Sequence, residues 1–261
     1  MKKMIFFDID GTLLSSRQGQ YFIPDGTLEA IEAARKNGHR TAICTGRQEP
    51  FIQKIFGDFF TSYIAMNGTH IVADGKTILQ AQFPLERVKE IMEHFDAFGV
   101  SYNFIGNRQS WGRNLSPEMI EAMNRVYHLD NYVQTEWEPE DVKAGALDCI
   151  FASPEHYETC RPAFTGNMIL NMHPGGTSGD LSFPQHDKAE AIRIFCKHEG
   201  IDLADTVAFG DGNNDVTMLR TVGIGVAMKN GVPEAQAVAD YVTDSLLENG
   251  IENGLRHLGL I

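Results

Sequence analysis

Two aspartates one residue apart, Asp8 and Asp10, stand where the apolar run Met4-Ile5-Phe6-Phe7 breaks at Gly11. In extended chain, residues two apart point to the same side, so both carboxylates face one small volume at a strand end. Such a pair wants a cation, because buried charges are costly unless metal or a cationic side chain compensates them. A solvated turn explains a single Asp before Gly, but it needs no preceding run of four large apolar residues. A second run, Thr206 to Phe209, breaks into Gly210-Asp211-Gly212-Asn213-Asn214-Asp215. It predicts Asp211 at a strand tip and Asn213, Asn214 and Asp215 at a helix start, where side-chain oxygens meet free N–H groups. A third run, Arg40 to Cys44, ends in Thr45-Gly46-Arg47. There a hydroxyl, open backbone N–H groups and a guanidinium suit phosphate oxygens. Lys188 opens an amphipathic helix before the Asp211 strand, and alone it reads as a surface lysine.

These residues need an alternating strand and helix scaffold, and the periodicity supplies one. Leu28, Ile31 and Ala34 mark a helix from Pro24 to Asn37, stopped by Gly38 and followed by the strand 40–44. A helix over 49–56 leads to a strand 63–66, and Asn67-Gly68 then turns into two short strands around Asp74-Gly75. From Pro84 the stripe Val88, Ile91, Met92 and Phe95 predicts a helix ending near Gly99, with a strand over 100–105. Ser116-Pro117 opens another helix, and 147–152, 167–172 and 178–183 read as strands. Tyr102, Phe104, Trp111 and Trp137 read as packing, whereas Asn107, Arg108 and Arg113 read as loop residues able to face a substrate.

Taken in order, Asp8-Ile9-Asp10-Gly11-Thr12, Thr45-Gly46-Arg47, Lys188 and Gly210-Asp211-Gly212-Asn213-Asn214-Asp215 resemble the four motifs of the haloacid dehalogenase-like (HAD) phosphohydrolases. The long insertion between the second and third motifs, and the form of the fourth, resemble the Cof-type, subclass IIB members over essentially the whole chain. One local departure is His186-Asp187-Lys188-Ala189, where the family often has Ser-Lys-Gly. Asp187 either pairs with Lys188 or caps the helix, and the sequence leaves both open.

The resemblance implies an α/β fold: a Rossmann-like parallel core from residues 1–82 and 184–261, and an inserted α+β cap over 83–183 that selects the substrate. It implies a magnesium-dependent phosphatase of small phosphorylated metabolites, sugar phosphates foremost, working through an aspartyl phosphate on Asp8. Asp10 would be general acid and then base, with Mg2+ held by the Asp8 carboxylate, the Asp10 main-chain carbonyl and Asp211. Thr45, Gly46, Lys188 and Asn214 would cradle phosphate, with Asp215 and Arg47 in support. An Asn at position 67 would lie near the site mouth, although turn chemistry alone accounts for it. A phosphomutase of the same superfamily and a non-catalytic sugar-phosphate-binding regulator are the alternatives. A receiver-type signalling domain does not fit, because its phosphorylated aspartate lies on a later strand and it has no cap insertion.

The formal net charge of −13 over 261 residues argues against nucleic acid and anionic membrane as partners. An anionic substrate then depends on local positive charge from Lys188, Arg47 and a divalent cation. With 43% hydrophobic residues the chain has ample core material. Its four cysteines lack a C-x-x-C pair, which suggests a buried, reduced set, and its nine histidines lack zinc-site spacing. The apolar stretch before Asp8 is too short for a signal peptide, so a cytoplasmic protein is expected. Oligomeric state has no signal in the sequence.

Overall fold

Parallel strands from both ends of the chain meet around the first strand. The computed structural model describes residues 2–17, 20–161, 169–172, 177–182 and 186–261. Phe183 and Pro184, at the expected end of the insertion, and residues 167 and 168 of an expected strand lie outside these. An eight-stranded sheet runs in the order Tyr241–Thr243, Ile224–Met228, Thr206–Gly210, Met4–Phe7, Arg40–Cys44, Tyr63–Ala65, His70–Ala73, Lys76–Gln80. The pairings from Tyr241–Thr243 to Tyr63–Ala65 are parallel, and His70–Ala73 turns back antiparallel.

Register brings the chemistry-bearing residues nearly level. Phe7 lies opposite Phe209 on one side and Ile43 on the other. Continued by one residue, this register sets Asp8 beside Gly210 and Cys44, with Asp211 and Thr45 one residue further on, so the three strands end within one residue of each other. Chain order reverses at Met4–Phe7, whose neighbours come from residues 40–44 and 206–210. Ligands of open parallel sheets gather at such a reversal, beyond the strand carboxyl ends.

Met4–Phe7 is buried along its whole length, as expected of a strand covered on both faces. Phe6 meets Phe195 edge to face with ring centroids 5.5 Å apart, and Phe7 stacks on Phe209 at 5.2 Å. Phe195 belongs to the helix Lys188–Glu199, so this contact ties that helix to the first strand.

Two compact units emerge: Met1–Gly46, Asp58–Ile78 and Asp187–Ile261 form one, and Arg47–Gly57 with Leu79–His186 form the other. The helix Glu49–Phe56, expected with the sheet core, groups with the inserted segment instead. Arg47 donates to the Val126 carbonyl at 2.9 Å and Lys54 to the His128 carbonyl at 2.9 Å, while Glu49 accepts from Arg108 at 2.9 Å. Helical period shows that a helix forms, but it carries no record of such long-range partners.

In the second unit a six-stranded sheet runs Val133–Gln134, Ser110–Arg113, Ser101–Gly106, Ala144–Ile150, Ser178–Ser182, Ile169–Met172. Val88, Ile91 and Phe95 of the helix Leu85–Ala97 pack with Tyr102, Phe104, Leu147 and Cys149 of the sheet and Cys160 of the helix Pro154–Cys160. Ser116 caps the helix Pro117–Tyr127 by accepting from the Met119 N–H. Trp111 and Trp137 pack as expected. Arg113 corrects the loop reading, because it ends a strand, lies over Trp137 at 5.4 Å and pairs with Asp96. Asn107 and Arg108 are engaged with Glu49. Among the described residues, no helix is long and apolar enough to cross a membrane, and the four cysteines are buried thiols outside any disulfide.

Phe6→Ala should remove a side chain with no solvent exposure from the contact between helix and sheet. We expect a loss of about 3–5 kcal/mol, read as a lower urea midpoint for unfolding.

Candidate active site

Lys188 is the first residue of its helix, directly after the cap Asp187. The Asp187 side chain accepts from the Glu190 N–H at 2.7 Å. Of the two readings of Asp187 it therefore takes capping, which starts the helix and leaves the lysine to other partners. Those partners are two carboxylates. The Lys188 ammonium donates to Asp8 Oδ1 at 2.6 Å and to Asp215 Oδ1 at 2.7 Å. All three side chains are buried, Asp8 retaining 8% exposure.

Asp215 does more than balance charge. Its second oxygen accepts the backbone N–H groups of Asp211 and Gly212 at 2.9 and 2.8 Å. A strand that ends in Gly210 makes this return possible, because a Cβ there would lie 2.6 Å from the Asp215 carboxyl carbon. The loop Asp211–Asp215 thus folds back on its own strand tip and presents the Asp211 carboxylate beside the first loop. Thr12 donates to Asp211 Oδ1 at 2.8 Å. Gly11, at φ +84°, passes so close to Asp211 that a Cβ would stand 2.1 Å from Oδ2, so only glycine fits.

Acidic oxygens of Asp8, Asp211 and Asp215 lie within 4.8 Å of one another. Burial drives the Asp8 carboxyl up to about 8, with Lys188 opposing the rise and Asp215 and Asp211 adding to it. Burial likewise lifts Asp211 to about 6, against the pull of the Thr12 hydrogen bond and with Asp215 adding. For Lys188 burial acts downward, but Asp8 and Asp215 outweigh it and hold the ammonium above its ordinary value. One ammonium thus faces a cluster of acids, two of which burial lifts. An all-oxygen donor set suits a hard divalent cation. Asp215 is a poor candidate ligand, since both of its oxygens are already bound by N–H donors, which leaves Asp8, Asp211 and the main chain of the first loop.

Opposite this cluster Thr45 is buried at its strand end and Gly46 is exposed. Asn67, at φ +52° in the hairpin between Tyr63–Ala65 and His70–Ala73, donates its N–H to the Thr45 carbonyl at 2.9 Å. Its side-chain oxygen accepts from Asn214 at 3.2 Å, and a Cβ on Gly46 would lie 3.3 Å from it. Thr45, Gly46, Asn67 and Asn214 so form one polar rim. Asn67 is a turn residue that also ties the Thr45 strand end to Asn214, a link that turn chemistry alone does not reveal. Thr12, read only as part of a motif, positions Asp211. Arg47 belongs to the second unit, where its guanidinium lies over Phe51 at 4.6 Å. Asp10 follows the strand end and adds negative charge near Asp211. The Cys44 thiol, beside Lys188, is pushed up by burial and is no nucleophile.

The family model of haloacid dehalogenase-like hydrolases matches residues 5–255. Among curated proteins, the 5-amino-6-(5-phospho-D-ribitylamino)uracil phosphatase YbjI of Escherichia coli is 26% identical over 95% of this chain and 93% of its own. A solved structure from Geobacillus kaustophilus is 28% identical, with a TM-score of 0.88 and full coverage of both chains. The solved HAD subclass IIB sugar phosphatase BT4131 is also 28% identical, with a TM-score of 0.80 and full coverage of both chains.

Replacing Asp215 by Asn keeps its shape but leaves buried Lys188 with one carboxylate partner instead of two. Asp215→Asn should destabilise the chain by about 3–5 kcal/mol, the range for breaking a buried ion pair. A urea unfolding midpoint equal to wild type would contradict the buttress role.

Proposed function

The chain belongs to the haloacid dehalogenase-like hydrolases, and from that premise we propose that it is a magnesium-dependent phosphatase of small phosphorylated metabolites, sugar phosphates foremost. The observation that carries this reading is the buried Asp8 carboxylate held 2.6 Å from the Lys188 ammonium at the reversal point of the sheet. An aspartate fixed at a strand tip, with a cation against one oxygen, is placed to attack phosphorus with the other.

In this mechanism Asp8 attacks the phosphorus of a monoester, and the bond from phosphorus to the leaving oxygen breaks as the acyl phosphate on Asp8 forms. Asp10 gives its proton to the departing alcohol. It then takes a proton from the water that hydrolyses the acyl phosphate, returning Asp8 and releasing phosphate. Lys188 holds Asp8 in its rotamer and offsets charge on the phosphoryl oxygens. Thr45, the Gly46 backbone and Asn214 bind those oxygens, with Asn67 orienting Asn214. Asp8, the Asp10 carbonyl and Asp211 would hold Mg2+, which when bound offsets the repulsion between Asp8 and the phosphate. Asp215 supports Lys188 and the Asp211 loop. The inserted segment, expected over 83–183, decides which alcohol leaves.

Two relatives bear on substrate class. The Escherichia coli protein is named for a phosphorylated ribityl compound and the solved subclass IIB protein for sugar phosphates. A phosphorylated ribityl group and sugar phosphates are both small and polyhydroxylated, which supports that class here.

Phosphate release should be measured from sugar phosphates, nucleotides and pyridoxal phosphate, with magnesium and with chelator. Asp8→Asn should reduce magnesium-dependent release to background. Full turnover in that variant would remove Asp8 as nucleophile, and an isomeric ester in place of free phosphate would point to a mutase.

Protonated Asp8 and Asp211 compete with the ion, because only the carboxylates bind it. Magnesium should bind more tightly as pH rises through about 6 and about 8, the values to which burial lifts Asp211 and Asp8. Calorimetric titration in buffers of differing protonation enthalpy should show proton release on binding. Affinity independent of pH across that window would contradict the assignment of these two ligands.

A further inference from the structure

The proposed metal ligands include one main-chain oxygen, and a main-chain donor must be aimed by its own loop. The Asp10 carbonyl shares a planar trans peptide with the Gly11 N–H, which points the opposite way. That N–H donates to the Leu14 carbonyl at 2.9 Å, so one bond fixes the direction of the Asp10 oxygen. The next peptide carries the Gly11 carbonyl, and this accepts from the Asn230 side-chain amide at 2.9 Å. Between the two peptides sits glycine at φ +84°, the residue with the least intrinsic restraint on its torsions. A glycine is obligatory there because of Asp211, so restraint has to come from outside the loop.

Asn230 is itself anchored. Its Oδ1 accepts the Leu246 N–H at 2.8 Å, so the amide spans a fixed point and the Gly11 carbonyl. It follows the strand Ile224–Met228, next but one to Met4–Phe7 in the sheet. Two residues on, the Val232 N–H donates to the Asp211 carbonyl at 2.8 Å. Between them, Gly231 lies against Asp211 so closely that a Cβ would stand 2.8 Å from its carbonyl oxygen. Residues 230–232 thus clasp a main-chain carbonyl from each of the two segments that bear the proposed ligands, Gly11 on one side and Asp211 on the other. None of the four motifs includes this stretch.

We propose that Asn230 is a positioning residue of the metal site, its amide bridging Gly11 and Leu246 so that the Asp10 carbonyl is held ready for magnesium. The inference rests on the magnesium reading given above. Asn230 brings no charge, and both ends of its amide bond main chain. It therefore acts on the geometry of the ligand set, and its loss should weaken metal binding while leaving the reacting groups in place. Partners that orient metal ligands typically contribute about 10–100-fold in metal affinity.

Magnesium should be titrated calorimetrically into metal-free wild type, Asn230→Ala and Asn230→Ser, with thermal melts of each in chelator. Serine is too short to bridge, so both variants should raise the magnesium dissociation constant by about tenfold or more. Phosphate release should fall by a matching factor at low magnesium and recover as magnesium is raised. A dissociation constant within about twofold of wild type would overturn the inference, including where the chelator melt is lowered, since that marks a tie of purely structural effect. Lost turnover that magnesium does not restore would overturn it as well. If wild type binds no magnesium, the magnesium reading fails and this inference with it, an outcome distinguished by the wild-type titration alone.

Discussion

The buried ammonium of Lys188, shared between Asp8 and Asp215, is the interaction around which the first unit is arranged. Taking three charges out of water is costly, and their attraction offsets that cost only when geometry is good and the remaining lone pairs are satisfied. Asp215 meets the second condition with two backbone N–H groups on its far oxygen. Asp8 lies where the strands from residues 4–7, 40–44 and 206–210 end within one residue of each other. The lysine reaches both because its helix begins at the residue after its cap. Remove the lysine, and two buried carboxylates lose their cation; remove either acid, and the lysine is left with one partner instead of two.

Around this trio the loops are held by hydrogen bonds, some between side chains and some to main chain. Thr12 fixes Asp211, Asn67 links the Thr45 strand end to Asn214, and Asn230 reaches the Gly11 carbonyl. Close approach forces glycine at positions 11 and 210, which frees the backbone and then obliges neighbouring side chains to restrain it. The result is an acid-rich strand edge with one resident cation. Burial is the main cause that raises its carboxyl groups, and the oxygens of Asp8, Asp211 and Asp215 lie close enough together to hold a divalent ion.

The second unit follows a different logic. One face of its sheet is closed by the apolar cluster of Val88, Ile91, Phe95, Tyr102, Phe104 and Leu147. Alternation puts Asn103 and Asp148, register partners, on the other face. There Asn103 donates weakly to the Tyr127 hydroxyl, and that hydroxyl donates to Asp148. A polar network on a sheet face is costly where its members are left unsatisfied, and here the Tyr127 hydroxyl and the Asn103 amide each find a partner within the unit.

Much of this was legible in the sequence, because strand ends announce themselves locally. Met4–Phe7 and Thr206–Gly210 each end an apolar run at an acid, so the strands, their boundaries and the identities of Asp8 and Asp211 could be read before any fold was known. The helix at 85–97 was plain from its apolar stripe and the one at 117–127 from its Ser116-Pro117 start, and a helix was expected over 49–56. Short elements escaped: Ser110–Arg113, Val133–Gln134 and Pro154–Cys160 are too brief for a period to register, and Arg113 was read as loop for that reason. What tertiary structure alone decided were relations between distant residues. Whether Asp187 caps or pairs, that Asp215 rather than solvent holds Lys188, that Asn67 joins Asn214 across 147 positions and that Asn230 reaches Gly11 across 219 are facts of this kind. A residue's type and its near neighbours set what it is able to do, but its partner depends on which strands lie side by side, and that order arises only when the whole sheet closes.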